Sequence, residues 1–300
     1  MNILSSRKRN IPLHLMILPA LAVIIIFRYG PMAGAIIAFQ SVSPGKFIFN
    51  AEWVGLKNFV YAFSMPNTMQ IIWNTLIIAL LKIVFMRISA LSLALLLNEI
   101  RGRLYKRTIQ TIIYMPHFLS WVILGGILLE VLSPSEGIVN NIISAMGFKP
   151  IFFLGDPHWF RFTLVVSDIW KDAGWATIIY LAAITGISPS YYEAAVIDGA
   201  NRWKQTLYIT LPGMMPVIVL TVVLSMGNLL DAGFEQVFNL YNPMVYKTAD
   251  ILDTAVYRLG LEQAQYSVAT AIGLFKSVVS CILLSTTYYL AYKHADYRIF

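Results

Sequence analysis

Six stretches of this chain are long and apolar enough to cross a lipid bilayer as helices, and no other feature of the sequence restricts its fold so sharply. They run at about 12–39, 71–97, 109–129, 160–184, 212–234 and 267–292. A helix needs roughly 20 apolar residues to traverse the hydrocarbon core. Lipid offers backbone groups no hydrogen-bond partner, so a spanning segment bonds within itself or joins a closed barrel. These runs are too long and too continuously apolar for barrel strands. Composition agrees: 58% of the 300 residues are hydrophobic and 12% are charged, where soluble domains carry about a quarter charged. The expected fold class is an all-α integral membrane protein with six transmembrane helices.

The basic residues sort by side. Arg7, Lys8 and Arg9 precede the first span, and Arg101, Arg103, Lys106 and Arg107 lie between the second and third. Arg202 and Lys204 fall between the fourth and fifth spans, and Lys293 and Arg298 follow the sixth. With six spans all of these share one face, while the stretch 231–266 on the other face holds Asp231, Glu235, Asp250, Asp253 and Glu262. The positive-inside rule then puts both termini in the cytoplasm. The net charge of +7 is a topology signal that needs no nucleic acid. The expected organisation is a tail at 1–11, one transmembrane domain at 12–292 and a tail at 293–300. The basic leader is followed by no small-residue cleavage pattern, so the first span reads as an uncleaved anchor, kinked at Pro31.

Several chemistries lack their residues. There is no G-x-x-x-x-G-K-[ST] loop to cradle a nucleotide, no H-E-x-x-H and no G-x-S-x-G elbow. The four histidines are scattered, and the lone Cys281 has no partner for a disulfide or a metal. What remains are polar residues inside the spans, which are expensive in lipid and therefore functional candidates. For Lys82, Arg87 and Lys276 the plain expectation is pairing between helices or snorkelling near an interface. The cluster from Asp168 to Trp175, with the charges Asp168, Lys171 and Asp172 and two tryptophans within eight residues, suits a water-filled cavity better.

One polar passage, Tyr191 to Pro212, has a regular design. Ser190 stands three residues before Glu193 in the spacing of a capping box. Ala194 and Ala195 favour helix, and Gly199 can end it in a left-handed conformation. A second short helix is expected at 201–208, with Pro212 in the first turn of the fifth span.

The same passage carries a family resemblance. Glu193-Ala194-Ala195, Gly199 and Ile209-Thr210-Leu211-Pro212 reproduce E-A-A-x3-G-x9-I-x-L-P. This pattern resembles the EAA loop of type I binding-protein-dependent ABC importer permeases. GLKNF (Gly55 to Phe59), NTL (Asn74 to Leu76) and EAAVIDGANRW resemble its carbohydrate branch, in particular LplB-type permeases for oligosaccharides and polysaccharide fragments. The large periplasmic insertion of some maltose-type members is absent. The resemblance implies a non-catalytic permease subunit in a bacterial cell membrane, importing sugars and above all oligosaccharides, acidic ones included. It implies a second, related but non-identical permease, two ATP-binding subunits carrying ATP and Mg, and an extracytoplasmic solute-binding protein.

In that frame the loop 186–212 is the coupling loop, and Glu193, Ala194, Ala195, Asp198 and Gly199 meet the ATPase. The solute pathway falls to Asp168, Lys171, Asp172 and Trp175 before the loop and to Ser225, Asn228 and Leu229 after it. Carboxylate, amide and hydroxyl groups beside aromatic planes are what sugars require. Lys171 faces two partners, a uronate on the solute or Asp168 and Asp172, and the internal pair is the expectation. Two alternatives stand: a proton-coupled transporter using Asp168, Asp172 or Asp231, and an ABC permease for a non-sugar solute.

Overall fold

The computed structural model describes residues 15–42 and 50–295. The expected tail at 1–11, the residues from 296 on, and the cations Arg7, Lys8, Arg9 and Arg298 lie outside the described residues. The chain divides into two compact units, one of residues 1–65 with 256–275 and one of 66–255 with 276–300.

The first unit begins with helix α1 (Leu15–Phe39). Pro31 does not break it. The preceding turn, Ile25–Tyr29, widens so that the Gly30 N–H reaches the Ile25 carbonyl five residues back. A widened turn relieves the clash between a proline ring and the carbonyl beneath it. Strands β1 (Gln40–Ser41) and β2 (Glu52–Trp53) pair antiparallel, Gln40 opposite Trp53. Gly55 turns the chain at φ +59° into helix α2 (Lys57–Ser64). There Asn58 Nδ2 donates 2.9 Å bonds to the carbonyls of Ala38 and Gln40. Phe39 packs on Trp53 and Phe59. The GLKNF motif is thus a turn plus a clamp.

The second unit is built on α3 (Thr68–Glu99) and α7 (Pro157–Thr185), which pack along one another. Buried Ala79, Ala90, Ala94, Ala173 and Gly174 let backbones approach, as small residues do between membrane helices. Thr177 Oγ1 on α7 donates to the Ala90 carbonyl on α3 at 3.2 Å. The NTL motif proves structural: fully buried Asn74 donates to the Asp250 carbonyl at 3.0 Å, and Thr75 Oγ1 accepts from Leu252 N at 2.9 Å. A core of Ile78, Phe160, Leu164, Val237 and Ile251 lies beside these bonds.

The third apolar stretch is bent. Helix α4 (Arg103–Tyr114) passes through a tight turn at Met115–Phe118, and α5 (Trp121–Val131) leaves at 102°. Pro116 supplies no N–H to continue the helix, and Ser120 caps the new one by accepting from Ile123 N. A continuous helix over 109–129 is therefore corrected to a bent pair. Helix α6 (Ile138–Ala145) lies between α5 and α7 in the chain.

The polar passage also differs from expectation. Helix α8 (Pro189–Ile197) starts at Pro189 with Ser188 as its N-cap. Ser190 sits inside the helix and pairs its hydroxyl with Ser188 at 2.8 Å, so the Ser190–Glu193 capping box does not form; proline's preference for the first helical position sets the start instead. The second short helix and the fifth span are one helix, α9 (Arg202–Met226). Asn201 caps it by accepting from Lys204 N at 2.9 Å. Pro212 lies well inside, behind a widened turn at Thr206–Thr210 that sends Leu211 N to the Thr206 carbonyl. The helix ends at Met226, not near Phe234, and a turn at left-handed Gly233 opens α10 (Phe234–Leu240).

Helices α11 (Leu252–Tyr257) and α12 (Tyr266–Ala295) complete the described chain. Lys276 on α12 bonds both oxygens of Asp253 at 2.6 and 2.8 Å, the interhelical pairing expected of it. Burial raises the Asp253 carboxyl above its ordinary range, and the Lys276 ammonium opposes that shift. Among the described residues four helices (α1, α3, α9 and α12) are long and apolar enough to span a membrane, and the bent α4–α5 pair makes a fifth. At 29 residues α7 has the length but carries Arg161, Asp168, Lys171 and Asp172.

A Cβ on Gly174 would lie 2.1 Å from the Ile113 carbonyl oxygen of α4. Gly174→Ala is expected to cost about 1–3 kcal/mol through overpacking. Thermal unfolding of the detergent-solubilised protein checks this; an unchanged melting temperature contradicts the close α4–α7 contact.

Candidate functional site

The polar residues of the second unit gather at two places along α7 rather than one. The first is a cavity of about 230 Å³ lined by Lys82, Arg87, Asp168, Ser225, Asn228 and Asp231, among others. Lys82 organises it. Its ammonium has three donors and meets three acceptors: the Ala232 carbonyl at 2.7 Å, Gln236 Oε1, and Asp168 Oδ1 at 3.4 Å. Gln236, fully buried, donates in turn to the Leu164 carbonyl and to Ser167 Oγ, each at 2.8 Å. Gly233 makes room for this ammonium, since a Cβ there would lie 2.8 Å from Lys82 Nζ. Arg87 Nη2 donates to Ser225 Oγ at 2.6 Å. Asn228 and Asp231 lie in the turn after α9 and are exposed, with Asp231 Oδ1 accepting from Gly233 N at 3.1 Å.

The second place is the bend between α4 and α5. Asp172, one turn along α7 from Asp168, meets His117 Nδ1 at 2.7 Å. Lys171 is buried and donates to the His117 carbonyl at 2.8 Å, with Asp172 at 3.6 Å and the Trp121 ring 5.7 Å away. The internal pairing expected of Lys171 is the one observed. Trp175 stacks on His117 at 4.5 Å, nearly parallel, with the edge of Phe118 against it, and it remains 46% exposed. Half-exposed aromatic surface beside polar side chains is chemistry that a sugar-binding wall can use.

Of the seven residues expected along the solute path, Asp168, Ser225 and Asn228 meet at the cavity, and Lys171, Asp172 and Trp175 meet at the bend. Leu229 packs against the hydrophobic core and does not line the cavity. Two contributors had no readable signal: Gln236 sits in an ordinary amphipathic stretch, and His117 looked like one scattered histidine. The proline beside His117, marking a helix break, was the one available clue.

A third feature is the corner made by α8 and α9. The Gly199 N–H bonds to the Val196 carbonyl at 3.1 Å and the Ala200 N–H to that of Ala195 at 2.8 Å, a Schellman closure with Gly199 at φ +74°. Glu193, Ala194, Asp198 and Gly199 are exposed and Ala195 is half-buried. Tyr192 OH and Thr210 Oγ1, 3.0 Å apart, tie α8 to α9. Ile187 fills the space over Gly213, where a Cβ would come within 2.7 Å of it. Arg202 pairs with Glu99 at the end of α3.

A helical membrane chain with an ion-paired polar cavity, and an exposed helix braced against one of its spans, has the parts of a permease that takes its energy from another subunit. Residues 87–299 match the family described as binding-protein-dependent transport system inner membrane component, and the chain belongs to that family. It is 41% identical over 297 residues to Protein LplB of Bacillus subtilis (strain 168), covering 99% of this chain and 93% of LplB. It is 43% identical over 288 residues to the polygalacturonan/rhamnogalacturonan transport system permease protein YteP of the same strain, covering 96% of this chain and 90% of YteP. Among solved structures it is similar to a chain in the crystal structure of a bacterial ABC transporter involved in the import of the acidic polysaccharide alginate, with TM-score 0.89, 39% identity and coverage of 97% and 99% of the two chains. It is also similar to a chain of a bacterial alginate ABC transporter in complex with an alginate pentasaccharide-bound periplasmic protein, with TM-score 0.90, 38% identity and full coverage of both. The fold is that of type I ABC importer permeases, and the chain is a non-catalytic membrane subunit whose ATPase is a separate chain.

Lys82 and Asp168 are both largely buried, at 9% and 18% side-chain exposure. Lys82→Met is expected to cost about 3–5 kcal/mol because it strands a buried carboxylate, and Lys82→Met with Asp168→Leu to recover most of that. A double-mutant cycle by unfolding measures the difference; additive losses contradict the pairing.

Proposed function

We propose that this chain forms half of the translocation pathway of an ATP-driven importer for oligosaccharides bearing carboxylates, with α8 as its coupling helix. In this reading six spans cross the cell membrane and both termini are cytoplasmic, α7 and the bent α4–α5 pair each counting as a span. The basic residues of 101–107, Arg202 and Lys204 then share the cytoplasmic face with α8. Glu193, Ala194, Ala195, Asp198 and Gly199 are the docking surface for an ATP-binding subunit, which carries ATP and Mg. Among the described residues Glu193 has no hydrogen bond or ion pair, so its charge is available to a partner.

The observation that carries the cargo reading is the polar cavity along α7. Two cations and two carboxylates face it, and half-exposed Trp175 lies about two turns further along the helix. Its volume of about 230 Å³ is below the ~300–1,000 Å³ of a ligand cleft, room for about one sugar unit. A second, related permease supplies the remaining wall, and an extracytoplasmic binding protein delivers the solute. Acidic cargo is supported by the names of the similar proteins, which concern polygalacturonan and rhamnogalacturonan in one case and alginate in the others. Proton coupling through Asp168 or Asp172 is disfavoured, since they face Lys82, Lys171 and His117.

The test is reconstitution of the full complex in liposomes with its binding protein, screening neutral and uronate oligosaccharides for stimulation of ATPase activity and for uptake. Uronate oligosaccharides are expected to stimulate both. Glu193→Arg is expected to assemble in the membrane yet lose stimulated ATPase and uptake. Normal values in that variant would overturn the coupling role, and stimulation by neutral sugars alone would overturn the acidic cargo.

A further inference from the structure

Among the described residues, the charged side chains inside α3 and α7 are held by partners with one departure, and Lys276 of α12 is paired as well. Lys82 is paired with Asp168, Lys171 with Asp172 and Lys276 with Asp253. Arg161 lacks a carboxylate but is held by two carbonyl oxygens, Thr248 O at 3.1 Å and Asn74 Oδ1 at 2.7 Å. Arg87 has neither arrangement. Among the described residues its guanidinium makes one hydrogen bond, from Nη2 to Ser225 Oγ. Its Nε is buried with no partner, and no carboxylate lies within ion-pairing distance of it. A guanidinium carries five N–H donors in a planar fork, so most of its capacity is unspent. It stands at the wall of the cavity, beside Ser225 and Asn228.

An unpaired cation at mid-span is costly, and a buried donor without an acceptor adds to that cost. The carboxylates already at the cavity do not relieve it: Asp168 is engaged by Lys82, and Asp231 accepts from the Gly233 backbone. We infer that Arg87 is the carboxylate receptor of the pathway, its fork taking the acid group of one sugar unit in a uronate oligosaccharide while Ser225 and Asn228 meet neighbouring hydroxyls. The planar fork matches a carboxylate in two parallel bonds. Ser225 engages one Nη2 donor of the guanidinium, and Arg87 lines the cavity. The lysines, tied to carboxylates, set the shape of the site, and Arg87 sets its preference for charge. This rests on the acidic-cargo reading and adds to it the residue that reads the acid.

The test is equilibrium binding of a uronate oligosaccharide, and of its carboxyl-reduced counterpart of equal length, to the assembled permease–ATPase complex in detergent without the binding protein. The wild-type complex is expected to prefer the acidic sugar by about tenfold or more, the scale of one charge-assisted bidentate contact. Arg87→Gln, which keeps a donor toward Ser225, is expected to bind the two sugars alike. Arg87→Lys, which keeps the charge without the fork, is expected to retain a reduced preference, and it carries the test if the glutamine variant does not assemble. Undiminished preference in the variants would overturn the role of Arg87 while leaving acidic cargo standing. Lack of preference in the wild type would overturn both, and so would failure of the wild type to bind either sugar.

Discussion

The ammonium of Lys82 is the point on which the interior of this permease depends. It projects from α3, is neutralised by Asp168 of α7, and reaches the Ala232 carbonyl and Gln236 beyond α9. One charge thereby fixes three stretches that are far apart in the chain. In a low-dielectric interior a fully matched ammonium is directional, whereas any mismatch would be costly. Gly233, at φ +86°, lies where a Cβ would come within 2.8 Å of that ammonium. The cavity is the space left open beside this network, which is why its walls are polar in a chain so apolar overall.

From the cavity to the exposed corner runs a single helix. Ser225 lines the cavity near the end of α9 and Asn201 caps its start. Both α1 and α9 meet a proline with the same device, a widened turn whose closing N–H reaches five residues back just before the ring. In α9 this places the widened turn between the exposed corner and the cavity. Tyr192–Thr210, at the last residue of that turn, and Ile187–Gly213, just beyond it, brace the corner.

Much of this was legible in the sequence because lipid makes polar residues conspicuous. Asp168, Ser225 and Asn228 stood out against apolar neighbours, and they do meet; so did Lys276, which found Asp253. Gly199 was legible too, since a left-handed helix end calls for glycine. What escaped depended on contacts between distant residues. Gln236 is ordinary until Lys82 arrives beside it, and His117 gains meaning only when the Pro116 break turns it toward Asp172 and Trp175. Helix limits escaped for a local reason. Proline was read as the start of α9 where a widened turn carries the helix through it. Ser190 has the spacing of a cap, but Ser188 and Pro189 begin the helix two residues earlier.

The central claim is that the cavity beside Lys82 is the solute path and that ATP at the partner subunit changes which side it faces. Asn228 is exposed at its edge, and Cys281 is the chain's one cysteine. Asn228→Cys in a Cys281→Ser background therefore offers one thiol to membrane-impermeant reagents applied to either face of proteoliposomes. Labelling from the cytoplasmic face is expected to fall, and labelling from the opposite face to rise, when a non-hydrolysable ATP analogue and the binding protein are added to the complex. Labelling that stays the same from both faces with and without nucleotide would contradict the account.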